Sequence, residues 1–248
     1  MKYFCLTLLT FFIGTLIACG QTNKMKPLDQ LINKDEPAWA SVQQWIKDAT
    51  NKVEVLSKDP SRADEALFQA QVTTRSPMGA IVYETGGILI DHGWIRILGS
   101  GCKSLDRSLM DWNKSKSFNK PGEQPSFILI ADDVIGGFFA VNAGGLGKTG
   151  IGKVFYFAPD RLDWEETEMS YTDFIKFCFT GDLTRFYEGF RWNNWYKDTD
   201  FLDGNSGMSI YPFLWTKEGK NVNKDSRRPV PIQELWDLYM KETKQLQR

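Results

Sequence analysis

The sequence predicts a single α+β domain: a mainly antiparallel, twisted sheet of short hairpin-connected strands, with helices at the N- and C-terminal ends. Three observations lead there. Apolar residues recur at three-and-four spacing near both ends of the chain. Between residues 80 and 157 they form short runs broken by Gly- and Asp-bearing turns. No repeat and no shift in composition marks a second domain, and an aromatic content of 14%, with 9 Trp, suits one well-packed core.

Residues 36–50 read as a helix. Trp39, Val42, Ile46 and Ala49 share a face, and Pro37 sits in the first turn, where its missing N–H is harmless. Residues 61–71 read as a second helix, with Ser61 and Asp64 as a capping box and Ala66, Leu67 and Ala70 as the stripe. Ala80–Tyr83 and Ile88–Ile90 flank Glu84-Thr85-Gly86-Gly87 and predict a hairpin. Trp94–Leu98 follows the turn Asp91-His92-Gly93 as a third strand. Ser104–Trp112 reads as helix and 113–125 as a polar surface loop. Phe127–Ala131 and Gly137–Asn142 predict a hairpin around Asp132-Asp133, and Lys153–Phe157 a further strand. Ser170 and Asp173 open a helix that carries Phe174, Ile175, Phe177 and Cys178 and closes at Gly181. Asp182 opens a short helix to about Phe190. After Pro231 a last helix aligns Ile232, Leu235, Trp236 and Tyr239.

The N-terminus carries an address. Lys2 precedes an apolar run, Phe4–Ala18, too short for a comfortable transmembrane helix and suited to an export signal. It ends in Leu16-Ile17-Ala18-Cys19, which resembles the lipobox of bacterial lipoproteins. That resemblance implies a signal peptide 1–18, cleavage before Cys19, lipid attachment at Cys19 and a tether 19–27 ahead of the domain at 28–248. The lipid bilayer is then a partner through acylated Cys19. Gly20, in place of an Asp, points to an outer-membrane or periplasmic position in enteric-type sorting.

Composition narrows the chemistry. The formal charge is −1 and no strongly basic stretch occurs, which argues against nucleic acid. Of 4 Cys, Cys5 leaves with the signal and Cys19 is the anchor; Cys102 and Cys178 remain as one disulfide or two buried thiols. Gly144-Gly145-Leu146-Gly147-Lys148-Thr149 imitates a phosphate loop, but Asn142 stands where the motif needs its first Gly, and a strand follows where a helix is required. No nucleotide is expected. His92 is the only histidine and lies in a turn, so a Ser-His-Asp site would depend on it alone, and a zinc site lacks ligands. No metal and no cofactor are expected.

Several blocks recur together as a family pattern: Gly86–Asp91 with Gly93–Gly101, Ile130–Asn142, Phe155–Asp160, Ser170–Phe174, and Gly181–Leu183 with Phe186-Tyr187 and Arg191-Trp192. They resemble the bacterial domain of unknown function 2625, from about Leu28 onward. More distantly, the order of strands, Asp-rich turn and Ser-x-x-Asp-Phe helix is similar to the SUKH-type immunity-protein superfamily. That likeness implies an α+β domain that binds other proteins.

The candidate residues divide into two groups. Asp132 and Asp133, paired before a Gly-Gly turn, can hold a cation, serve acid–base chemistry or meet a partner. As Asp residues beside Gly they also suit a structural turn. The acidic run Asp163, Glu165, Glu166 and Glu168 reads as solvated surface. Among Phe186, Tyr187, Phe190, Trp192, Trp195 and Tyr196, most rings belong to the core, and Trp195 and Tyr196 are the exposed partner-binding candidates. The leading expectation is a lipid-anchored, non-catalytic binding domain of the cell envelope with a protein partner. The alternatives are a glycan-acting hydrolase using Asp132 or Asp133 with Glu84, and a passive structural lipoprotein. A cleft lined by Glu84, Asp91, Asp132 and Trp94 would favour the hydrolase.

Overall fold

The structure, a computed structural model, describes residues 25–120 and 122–246. The signal peptide, Cys19 and most of the tether lie outside the described residues. The remainder forms the expected α+β domain.

The chain enters through α1 (Leu28–Leu31) and α2 (Trp39–Lys47) and then forms β1 (Val53–Ser57). Two helices follow, α3 (Pro60–Ala70) and α4 (Pro77–Glu84). The sheet continues with β2 (Thr85–Ile90) and β3 (Ile95–Leu98), then α5 (Leu109–Asn113), β4 (Phe127–Asp133), β5 (Phe138–Asn142), β6 (Val154–Ala158) and β7 (Asp163–Glu166). These seven strands pair in sequence order, each antiparallel to the next. Helices α6 (Tyr171–Thr180), α7 (Leu183–Phe186) and α8 (Trp195–Thr199) come next. A two-stranded sheet, β8 (Ser206–Tyr211) with β9 (Ser226–Pro231), and α9 (Ile232–Leu246) complete the domain.

The sheet is covered on both faces, and strand alternation shows how. Phe138 meets Trp236 of α9 at 4.9 Å, whereas its neighbour Phe139 meets Phe174 of α6 at 4.7 Å. Strands buried on both sides read as continuous apolar runs, as Val154–Ala158 does.

Several local readings are corrected. Ala80–Tyr83 is helix, not strand. Ser76 caps α4 by accepting from the Gly79 N–H, Pro77 stands at the start, and Ala80, Ile81 and Val82 are all buried, so no amphipathic period shows. The partner of β2 is instead β1. The helix read at Ser104–Trp112 shrinks to α5, because Ser108 caps it and Cys102 and Leu105 form a bridge before it. The helix at Asp182 stops at Phe186. Finally, Asp163–Glu166 is the edge strand β7, paired with β6. Its acidic side chains discourage further strands from adding to that open edge.

Other expectations stand as read. Ser170 and Asp173 form a complete capping box. The box read at Ser61 and Asp64 is corrected: Asp59, two residues before Ser61, caps α3 by accepting from the Ser61 N–H. Gly181 closes α6 in an extended conformation. In α9, Ile232, Leu235, Trp236 and Tyr239 are buried together. Cys102 and Cys178 are free thiols, and burial pushes the Cys178 thiol well up.

Candidate functional site

Two clusters contain the sequence candidates. The first is an acidic hub at the end of β4. Asp132 and Asp133 were expected in a turn; they are the last residues of the strand, and both are fully buried. Neighbours along a strand point to opposite faces, so the two carboxylates never share a site. This removes both from partner contact in the folded domain.

Asp132 faces β8. Its Oδ1 accepts from Arg96 Nε at 2.6 Å and its Oδ2 from Arg107 Nη1 at 2.5 Å. Arg96 also donates to the Ser206 carbonyl at 2.9 Å, and Arg107 to the Gly204 carbonyl at 2.7 Å. The triad therefore clamps the segment entering β8 onto the main sheet. Met208 N–H reinforces the join by donating to the Val134 carbonyl at 2.6 Å. Arg96 stands between Ile95 and Ile97 in a fully buried strand. A charge in such a run needs a buried counter-charge, and Asp132 supplies it.

Asp133 faces the other side. Its Oδ1 accepts from the Ile135 and Gly137 N–H groups, and its Oδ2 from the hydroxyls of Tyr156 at 2.8 Å and Tyr187 at 3.1 Å. Burial outweighs these bonds and the nearby Arg96 charge, pushing its carboxyl up to about 6. The native state then holds the proton more tightly than the unfolded chain, with an ordinary carboxyl near 3.9. Stability from this group is full below about pH 4 and declines as pH rises toward 6. Asp133→Asn is therefore expected to gain on the wild type by roughly 2 kcal/mol between pH 4 and pH 7. Urea unfolding of both proteins at the two pH values measures this, and parallel pH dependences would refute it.

The second cluster lies at the turn between β2 and β3, beside the first, since Ile95 pairs with Asp133. Asp91, His92 and Gly93 all have positive φ, which turns the chain sharply and brings Trp94 inward. Trp94 is fully buried against Tyr187, Trp192 and Trp195, with ring centroids 5.0–5.6 Å apart. The Arg191 guanidinium lies 4.1 Å from the Trp195 ring and beside Asp91 at 2.6 Å. That ion pair is close, but the guanidinium N–H is not aimed well enough to count as a hydrogen bond.

Outside this core, Trp195 and Tyr196 flank His92 at 5.9 and 5.7 Å. His92 Nδ1 contacts Lys52 Nζ at 3.0 Å and Asp200 Oδ1 at 2.9 Å. The bond to His92 is the main cause holding the Asp200 carboxyl below its ordinary value. Trp195 is half-buried, Tyr196 is 39% exposed and Phe201 is 89% exposed. Lys52, Arg191, Asp200 and Phe201 are the residues sequence reasoning missed. Their partners are remote in sequence, although Phe201 after an aromatic run was a visible signal.

The residues proposed for a hydrolytic cleft do not gather. Glu84 pairs with Lys58 at 3.7 Å, Asp91 with Arg191, and Asp132 with its two arginines, while Trp94 is enclosed in a filled core. The glycine-rich loop leads into β6. Asn142 Oδ1 accepts from the Gly144 and Leu146 N–H groups, turning them away from any phosphate. Among the described residues no three His, Cys, Asp or Glu side chains gather as a metal site requires, and no helix is long and apolar enough to cross a membrane.

An α+β domain with a seven-stranded meander, an internal Arg-Asp-Arg clamp and an aromatic rim is the class these observations define. A family model described as "Protein of unknown function DUF2625" matches residues 28–235, and the chain belongs to that family. An uncharacterized protein of Haemophilus influenzae (strain Rd) is 50% identical over 208 residues, 84% of this chain and 90% of the relative. The Escherichia coli (strain K12) protein YbfG, also uncharacterized, is 43% identical over 221 residues, 88% of this chain and 99% of its own.

Proposed function

We propose that this is a lipid-anchored cell-envelope protein whose domain binds another protein, without catalysis, through the rim formed by Trp195, Tyr196 and Phe201. The carrying observation is the exposure of Tyr196 and Phe201 on one short segment, beside the charged trio Lys52, His92 and Asp200. Aromatic side chains beside mixed charge are typical anchors of protein interfaces. The commitment of Asp132 and Asp133 to internal bonds supports the non-catalytic part.

Membrane attachment rests on the sequence around Cys19. Two or more acyl chains hold a protein firmly, at about 0.8 kcal/mol per buried CH₂. Cys19→Ala is expected to move the protein from the membrane fraction to the soluble fraction of cells. Unchanged sedimentation with membranes would refute lipid anchoring.

A further inference from the structure

The strongest unassigned feature is a cavity of about 630 Å³ at the start of the described chain. Its apolar lining comes from Met25, Ala70, Met110, Phe118, Pro125 and Ile128. The rest of the lining is polar and includes Gln69, Gln71, Lys114 and the carboxylates of Asp111 and Glu123. A lining that combines apolar and polar groups suits an amphipathic occupant, with its tail against the apolar residues.

The chain itself is fixed at this lining. The Lys26 N–H donates to Gln71 Oε1 at 2.7 Å, and Gln71 Nε2 donates back to the Lys26 carbonyl at 3.1 Å. Gln71 is held in turn, because the same Nε2 donates to the Phe68 carbonyl at 2.7 Å and its backbone closes α3 in the left-handed region. Met25, the residue next to this junction, lines the cavity. It is the sixth residue after Cys19, a reach of roughly 20 Å when fully extended.

We propose that the cavity receives an acyl chain of the protein's own Cys19 lipid when the protein is off the bilayer. The inference rests on the lipid-anchored reading above. In a membrane the chains lose nothing by staying in the bilayer, so the cavity acts when they would otherwise meet water. The short tether brings the tail to the cavity at high effective concentration, ahead of any free lipid.

The test uses the full chain with cis-parinaric acid, a fatty acid that fluoresces when bound. Intact mass of the wild-type protein first establishes whether Cys19 carries lipid; an unmodified Cys19 overturns both readings. Given lipidation, the non-lipidated Cys19→Ala protein is expected to bind one equivalent of the probe. The lipidated protein, freed of detergent, is expected to bind at least tenfold more weakly, because its own tail fills the site. Met110→Glu and Ile128→Glu, each in the Cys19→Ala background and each checked for an unchanged melting curve, are expected to lose binding at least tenfold. No binding by Cys19→Ala, or equal binding by lipidated and non-lipidated protein, overturns the proposal while leaving anchoring intact. Equal binding by a folded Glu variant also overturns it.

Discussion

Asp132→Ala is expected to lower the free energy of unfolding by about 3–5 kcal/mol. The reason is the two guanidinium groups it leaves behind. Arg96 and Arg107 both meet this carboxylate, and the side chains of Arg96 and Asp132 are 2% and 0% exposed. Without Asp132, two like charges would remain in a site almost closed to water. Their bonds to the Ser206 and Gly204 carbonyls would survive only by moving the segment that enters β8. The loss is expected to be cooperative, as the second sheet packs through this join. Replacing all three groups together by apolar residues of similar size (Arg96→Met, Arg107→Met, Asp132→Leu) is expected to recover most of it, since no unpaired charge is then buried. Guanidinium unfolding curves of the single and triple variants measure both effects. A single variant within 1 kcal/mol of wild type would refute the clamp.

Joint replacement of Tyr196 and Phe201 by Ala is expected to weaken partner binding at least tenfold while leaving stability within about 0.5 kcal/mol. A tenfold loss corresponds to only about 1.4 kcal/mol, which one well-seated aromatic anchor exceeds. The two rings are the large exposed apolar groups of the rim, and neither forms part of the Trp94 core. Trp195 makes a poorer test, because its ring packs against Trp94 and under Arg191. Its removal would disturb the fold and the rim together.

Much of the fold was legible in the sequence, because the strands of the sheet centre are apolar and bounded by turn residues. The Ser170–Asp173 box and the apolar face of α9 were equally plain, since both signals are local. The strand β1 and the sheet of β8 and β9 were not read. Val53–Ser57 is a half-exposed edge, and Ser226–Pro231 carries two arginines and two prolines, so neither shows the pattern of a buried strand. Ala80–Val82 failed for the opposite reason: a segment buried all round has no period to read.

The candidate site was half legible. Tyr196 is exposed as the sequence reading expected, whereas Trp195 is half-buried against Trp94. Asp132 and Asp133 were misplaced because a pair of acidic residues beside glycines resembles a surface turn. What decides their burial is Arg96, Arg107, Tyr156 and Tyr187, which reach them from remote parts of the chain. Of these four only Arg96 carries a visible hint, as a charge inside an otherwise apolar strand.

The most direct test of the binding rim is site-specific photocrosslinking in intact cells, with the reactive group placed at residue 201 and, as a control, at the exposed residue 151 in the loop between β5 and β6. Binding through the rim predicts a discrete protein adduct from position 201, absent from position 151 and lost when Tyr196 is replaced by Ala. No adduct from position 201, or the same adducts from both positions, would contradict it.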